Sequence, residues 1–195
     1  MIKTIVFDLG GIFFLGEDWS LIASKKYGIH LDKVKDVIKE YNKCAVSAEK
    51  SEQFWIDFRK KLRINDDWKN VRNFLIGSIS ISKEIAELIK KLKNKYEVLF
   101  LSNSHIDFTP ELEKKFSFKK EFHGGLLSHE YPFYKPDKRF YSELLSRTSS
   151  KSEEIVFIDD VENNLKPAYE LGMHTILFKD IGQLKEELMK LGINA

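Results

Sequence analysis

A single cysteine, Cys44, stands among 195 residues, so no disulfide can close within the chain and a reducing compartment is expected. Long apolar runs are missing as well. None reaches the ~18 residues needed to cross a bilayer, and the first residues lead into a strand pattern instead of a secretory signal. A cytoplasmic protein with no membrane partner is the expectation. There is little charge of one sign: 32 basic against 30 acidic residues leave a net +2, which gives no ground for a nucleic-acid partner. The lysines sit among glutamates at helical spacing, as in Glu84, Glu87, Lys90 and Lys91, or Lys185, Glu186, Glu187 and Lys190. Such spacing describes solvated helix faces. Internal repeats and low-complexity segments are also absent. What is present, 43% hydrophobic and 32% charged residues, suits a soluble globular protein of one domain or one domain with an insertion.

Strand and helix signals alternate along the chain, but unevenly. Lys3 to Phe7 is a short apolar run rich in β-branched residues and reads as a buried strand. From Asp18 to about Gly77 only helical stripes follow: Trp19, Ile22, Ala23 and Tyr27; Leu31, Val34, Val37, Ile38 and Tyr41; Phe54, Trp55, Phe58 and Leu62, with Ser51 as a cap; and Trp68, Val71, Leu75 and Ile76. The aromatic residues in these stripes read as the core of a helical bundle. Alternation resumes at Ser82, with strands expected near 97–101, 122–127, 155–158 and 175–178 and helices between them. Strands separated by helices imply right-handed crossovers and a parallel sheet. The fold class is therefore α/β, a Rossmann-like core of residues 1–14 and 82–195 interrupted by a helical domain at 15–81.

Three strands end in polar groups: Asp8 after the first, Ser102 and Asn103 after the second, and Asp159 and Asp160 after a later one. Ligands of open parallel sheets bind beyond the carboxyl ends of the strands, so these groups should converge. Packed carboxylates repel and would take up protons unless compensated. Hard oxygen ligands of this kind describe a Mg²⁺ site. Lys135, in the loop before a helix, supplies further positive charge, and the Ser102 hydroxyl and Asn103 amide suit phosphate oxygens.

These four motifs, Phe7-Asp8-Leu9-Gly10-Gly11, Leu101-Ser102-Asn103, Lys135-Pro136 and Phe157-Ile158-Asp159-Asp160, resemble the haloacid dehalogenase (HAD) superfamily. The likeness is strongest to its sugar-1-phosphate phosphatase and epoxide-hydrolase N-terminal-domain branch. It implies a core with an inserted helical cap that covers the site and selects a small phosphorylated metabolite. It also implies a Mg²⁺-dependent phosphatase that passes through an aspartyl-phosphate. On that resemblance Asp8 is the nucleophile and a metal ligand, the Gly10 carbonyl a second ligand, and Asp160 a third, with Asp159 close by or acting through water. Ser102 and Asn103 orient the phosphoryl group, and Lys135 neutralises it and keeps Asp8 ionised.

One group that the resemblance calls for is absent. Family phosphatases usually carry an Asp two residues after the nucleophile, where this chain has Gly10. That Asp protonates the leaving oxygen and then activates water. A general acid–base is worth ~10²–10⁴-fold of an acceleration that reaches ~10²¹-fold for phosphate monoesters. A slow phosphatase acting on an acidic leaving group, such as an anomeric oxygen, is one expectation. A surrogate acid at His105, Glu17 or Asp18 is another. A metal-independent dehalogenase and a catalytically quiet phosphate or partner binder are the alternatives, although Asp159 and Asp160 call for a metal. Arg59, Arg63 and Arg72 read as surface charges.

Overall fold

The computed structural model describes residues 1–16, 18–41 and 48–194, with the backbone alone at 48 and 49; Glu17 and Cys44 lie outside the described residues. In chain order the elements begin with β1 (Thr4–Phe7), β2 (Phe14–Leu15) and the helices α1 (Trp19–Tyr27), α2 (Leu31–Ile38), α3 (Ala48–Lys61) and α4 (Trp68–Gly77). There follow β3 (Ser80–Ile81), α5 (Lys83–Leu92), β4 (Glu97–Ser102), α6 (Thr109–Phe116), β5 (Gly124–Leu127) and α7 (Lys138–Ser146). The chain ends with β6 (Ile155–Asp159), α8 (Glu162–Glu170), β7 (His174–Leu177) and α9 (Ile181–Lys190).

The chain divides into two compact units. The first, Met1–Phe14 with Ile81–Ser104 and Phe116–Ala195, is built on a five-stranded sheet of order β5-β4-β1-β6-β7, parallel at every pairing. All four residues of β1 are buried, as a central strand covered on both faces requires. Phe7, its last residue, lies opposite Phe100 of β4 and Ile158 of β6. This register puts the ends of the three central strands at one edge. On one face Val6, Leu101 and Phe157 pack with Phe140, Tyr141 and Leu144 of α7 and with Leu165 and Ala168 of α8. Elsewhere Phe7, Phe13, Phe100, Phe118 and Phe122 meet in a chain of edge-on aromatic contacts. Helix α5 turns Ile85, Leu88, Ile89 and Leu92 inward, the i, i+3, i+4, i+7 stripe of an amphipathic helix, and Ser82 caps it by accepting from Ile85 N–H.

The second unit, Leu15–Ser80 with His105–Lys115, is helical. The aromatic stripes form its core as expected, with Tyr41, Phe54, Trp55 and Phe58 buried around Val34, Val71 and Leu75. Ser51, expected as a cap, instead lies buried inside α3. The whole of residues 82–195 was expected in the α/β core, yet 105–115 packs with the helices. Phe108 joins the helical core, His105 stacks on Tyr41, and Asp107 ties the segment there by hydrogen bonds. The Asp107 carboxylate accepts from Tyr41 OH at 2.7 Å and Trp55 Nε1 at 2.8 Å, and Arg72 donates to the Asp107 carbonyl. Arg72, read as a surface charge, is nearly buried here and also pairs with Glu111 at 2.8 Å. Arg63 is exposed as expected, and Arg59 is partly buried.

Asp107→Ala strips the carboxylate partner from Tyr41 and Trp55 and removes the 3.8 Å ion pair of that carboxylate with Arg72, whose bond to the main-chain carbonyl stays. Urea unfolding should record a loss of ~2–4 kcal/mol. A loss below ~0.5 kcal/mol would contradict the anchoring role given to Asp107.

Candidate active site

Asp8 directly follows β1 and is tied to the neighbouring strand by its N–H, which donates to the Ile158 carbonyl at 2.8 Å. Asp159 ends β6 and is fully buried, and Ser102 ends β4, also buried. Lys135 arrives from the loop between β5 and α7, with its side chain only 1% exposed. Its Nζ lies 2.8 Å from Asp8 Oδ1 and 2.6 Å from Asp159 Oδ2. The sequence-predicted residues Asp8, Lys135, Asp159 and Asp160 therefore meet at one sheet edge.

Three carboxylates, those of Asp8, Asp159 and Asp160, offer oxygens within 4.8 Å of one another. The Asp8 carboxyl is raised to about 6, by burial first and by Asp159 as well, with Lys135 pulling against the rise. Asp160 is raised as well, by desolvation and then by Asp159. One ammonium is too little positive charge for this cluster. Asp159 has no acceptor capacity to spare: Lys135, the Val161 N–H at 2.8 Å and both approaches of Asn164 Nδ2, at 3.0 and 3.2 Å, occupy its oxygens. Asp8 Oδ1 is likewise taken, by Lys135 and by Leu9 N–H at 2.7 Å. Among the described residues, Asp8 Oδ2 and the Asp160 carboxylate receive no hydrogen bond from another residue. These are the oxygens that fit a divalent cation. The Gly10 carbonyl also suits that role, because the turn after Asp8 closes through Phe14 N–H to Leu9 O and Gly11 N–H to Phe14 O without using it.

The paired glycines do different things. Gly11 has φ +71°, and a Cβ there would run into Asp160 Oδ2, so only glycine lets the loop pass so close to that carboxylate. At Gly10 φ is ordinary and a Cβ would meet nothing within 4 Å. Packing at the Cβ does not require glycine at position 10.

Sequence reasoning placed Asn103 on the phosphoryl group. In the structure both ends of its amide bond the main chain of Lys135: Oδ1 accepts from Lys135 N–H at 2.8 Å and Nδ2 donates to its carbonyl at 3.0 Å. Asn164 was missed; an Asn in the first turn of the helix after Asp159 was the available signal. Of the surrogate acids, His105 stacks on Tyr41, with ring centroids 4.7 Å apart, and tilts against Phe108. Asp18 is the N-cap of α1 and accepts from Ser20 N–H at 2.7 Å.

The haloacid dehalogenase-like hydrolase family model matches residues 5–178. The chain belongs to that family. Bifunctional epoxide hydrolase 2 of Rattus norvegicus is 30% identical over 123 residues, 57% of this chain and 21% of that protein, so the chain spans about a fifth of that relative's length. A HAD-like family hydrolase of Porphyromonas gingivalis superposes with a TM-score of 0.75 at 24% identity, with 100% of both chains covered. A HAD family enzyme of Bacteroides thetaiotaomicron, in complex with magnesium and inorganic phosphate, gives 0.75 at 23% identity over 94% of this chain and 99% of that one. At these identities the two structures share the family's α/β fold with this chain. No helix among the described residues is long and apolar enough to cross a membrane.

An Asp8 carboxyl raised from 3.8 to about 6 by folding makes the charged form costly in the native state. The native state therefore loses stability as pH rises through this interval. Asp8→Asn removes that cost. With metal chelated, the variant should be more stable than wild type by about 1–3 kcal/mol near neutral pH, and the advantage should vanish below pH ~4. Denaturant unfolding at both pH values checks this; an equal or lower stability near neutral pH contradicts it.

Proposed function

We propose that this HAD-family hydrolase is a Mg²⁺-dependent phosphatase of a small phosphorylated metabolite, a sugar 1-phosphate being the preferred class. The observation that carries the reading is the sharing of the Lys135 ammonium between Asp8 and Asp159, while Asp8 Oδ2 and Asp160 stay open. Asp8, Asp160 and the Gly10 carbonyl would hold Mg²⁺, which when bound supplies the positive charge that the cluster lacks and neutralises phosphoryl oxygens. The relative crystallised with magnesium and inorganic phosphate is consistent with this assignment.

Asp8 attacks phosphorus, the bond to the leaving oxygen breaks, and the phosphoryl group passes to Asp8 Oδ; water then cleaves the aspartyl-phosphate. Lys135 keeps Asp8 ionised and balances charge on the phosphoryl oxygens, the electrostatic work on which phosphoryl transfer depends. Ser102, buried at the adjacent strand end, orients the phosphoryl group. Gly10 has no proton to give, so a leaving oxygen that departs as an anion is favoured, and the anomeric oxygen is more acidic than an ordinary alcohol. The choice of substrate is assigned to the helical unit. A dehalogenase has no use for the open Asp160 carboxylate, and a quiet binder has no use for a nucleophile with its own ammonium partner.

Phosphate release from a metabolite panel tests the reading. Activity should require Mg²⁺, disappear with EDTA and be lost in Asp8→Asn. Activity that survives either treatment, or halide release without metal, rules out the mechanism. Gly10→Asp, whose Cβ would meet nothing within 4 Å, should raise turnover of alkyl phosphates by roughly 10-fold or more, within the range of a general acid–base. Unchanged turnover by the folded variant would show that another group already moves the proton.

A further inference from the structure

We infer that Asn103 is a positioning residue: it acts on the reaction by holding the main chain of Lys135, not by touching the phosphoryl group. The inference rests on the phosphatase reading for its catalytic consequence and on geometry alone for its structural part.

The Asn103 amide meets the Lys135 peptide groups as a second strand would, accepting from the N–H at 2.8 Å and donating to the carbonyl at 3.0 Å. This fixes the position of the Lys135 Cα and the direction in which its side chain leaves. A lysine has four side-chain torsions and loses up to about 2 kcal/mol of rotamer entropy when fixed, so anchoring its base limits what the ammonium must find for itself. The Nζ end is fixed by Asp8 and Asp159. Both ends of the lysine are thus determined.

The clamp is itself mounted on a braced loop. Ser104, the next residue, donates its N–H to Ser128 Oγ at 2.9 Å. Its own Oγ accepts from the His129 N–H at 3.2 Å and lies 2.7 Å from His129 Nδ1. The loops after β4 and β5 are therefore joined by side chains, and Asn103 extends that brace to the loop that carries Lys135. Only one N–H of the amide remains unassigned, whereas the Ser102 hydroxyl makes nothing stronger than a 3.3 Å bond to the Asn103 carbonyl. Ser102 is the better placed of the two for a phosphoryl oxygen.

Two readouts on Asn103→Ala separate the roles. Limited acetylation followed by mass spectrometry should leave Lys135 protected in the wild type and label it at least fivefold faster in the variant, with surface lysines unchanged. Turnover with Mg²⁺ should fall roughly 10–100-fold, the usual cost of a slightly misplaced catalytic group, and should fall no further when Asn103→Ala is added to Lys135→Ala. If Asn103→Ala proves too unstable, Asn103→Asp keeps the acceptor and loses the donor, and Lys135 labelling should be intermediate. Wild-type protection of Lys135 together with lost activity would overturn the inference and return Asn103 to the phosphoryl group. Faster labelling in a protein whose wild type releases no phosphate would uphold the clamp and defeat the phosphatase reading instead.

Discussion

The ammonium of Lys135 is the interaction on which the rest of the site depends. A parallel sheet brings the ends of β1 and β6 to one edge, and here both deliver carboxylates, with Asp160 following. Unit charges 4.8 Å apart repel by roughly 3 kcal/mol at an effective dielectric near 20. The strand order that makes the fold therefore also creates a repulsion, and one buried cation, set between Asp8 and Asp159, offsets part of it. The remainder is visible in the raised carboxyls of Asp8 and Asp160. The open oxygens left by this unbalanced negative charge are ones that a cation would fit.

The two glycines show how to tell a structural requirement from a chemical choice. Gly11 is dictated by backbone conformation and by the closeness of Asp160; Gly10 is dictated by neither. The lack of a side chain at position 10 is therefore not demanded by local packing. Under the proposed reaction it directs attention to the leaving group.

Much of this was legible in the sequence, for a physical reason. Strand-end chemistry is local: Phe7-Asp8, Leu101-Ser102 and Ile158-Asp159 each announce themselves by an apolar run that stops at a polar group, and parallel pairing then brings them together without further information. The helical stripes were equally readable because burial follows the 3.6-residue period. What could not be read were side chains whose partners lie far along the chain. Asn103 belongs to a motif that suggests phosphate, but its partner is Lys135, 32 residues on. Arg72 looks like a surface charge until the fold joins it to Asp107, 35 residues on. Segment 105–115 follows a core strand in sequence and packs with the helices through Asp107, Phe108 and His105. Ser51 had the identity of a cap, but its position inside α3 was set by where the helix begins.

If the Lys135 ammonium is what holds the Asp8 and Asp159 carboxylates together beside Asp160, removing it must cost the fold itself. The most direct measurement is the unfolding free energy of Lys135→Met with and without Mg²⁺. The predicted result is a loss of ~3–5 kcal/mol without metal, as for a broken buried ion pair, with part of it recovered in excess Mg²⁺. A metal-free variant as stable as the wild type, or one indifferent to Mg²⁺, would contradict the account.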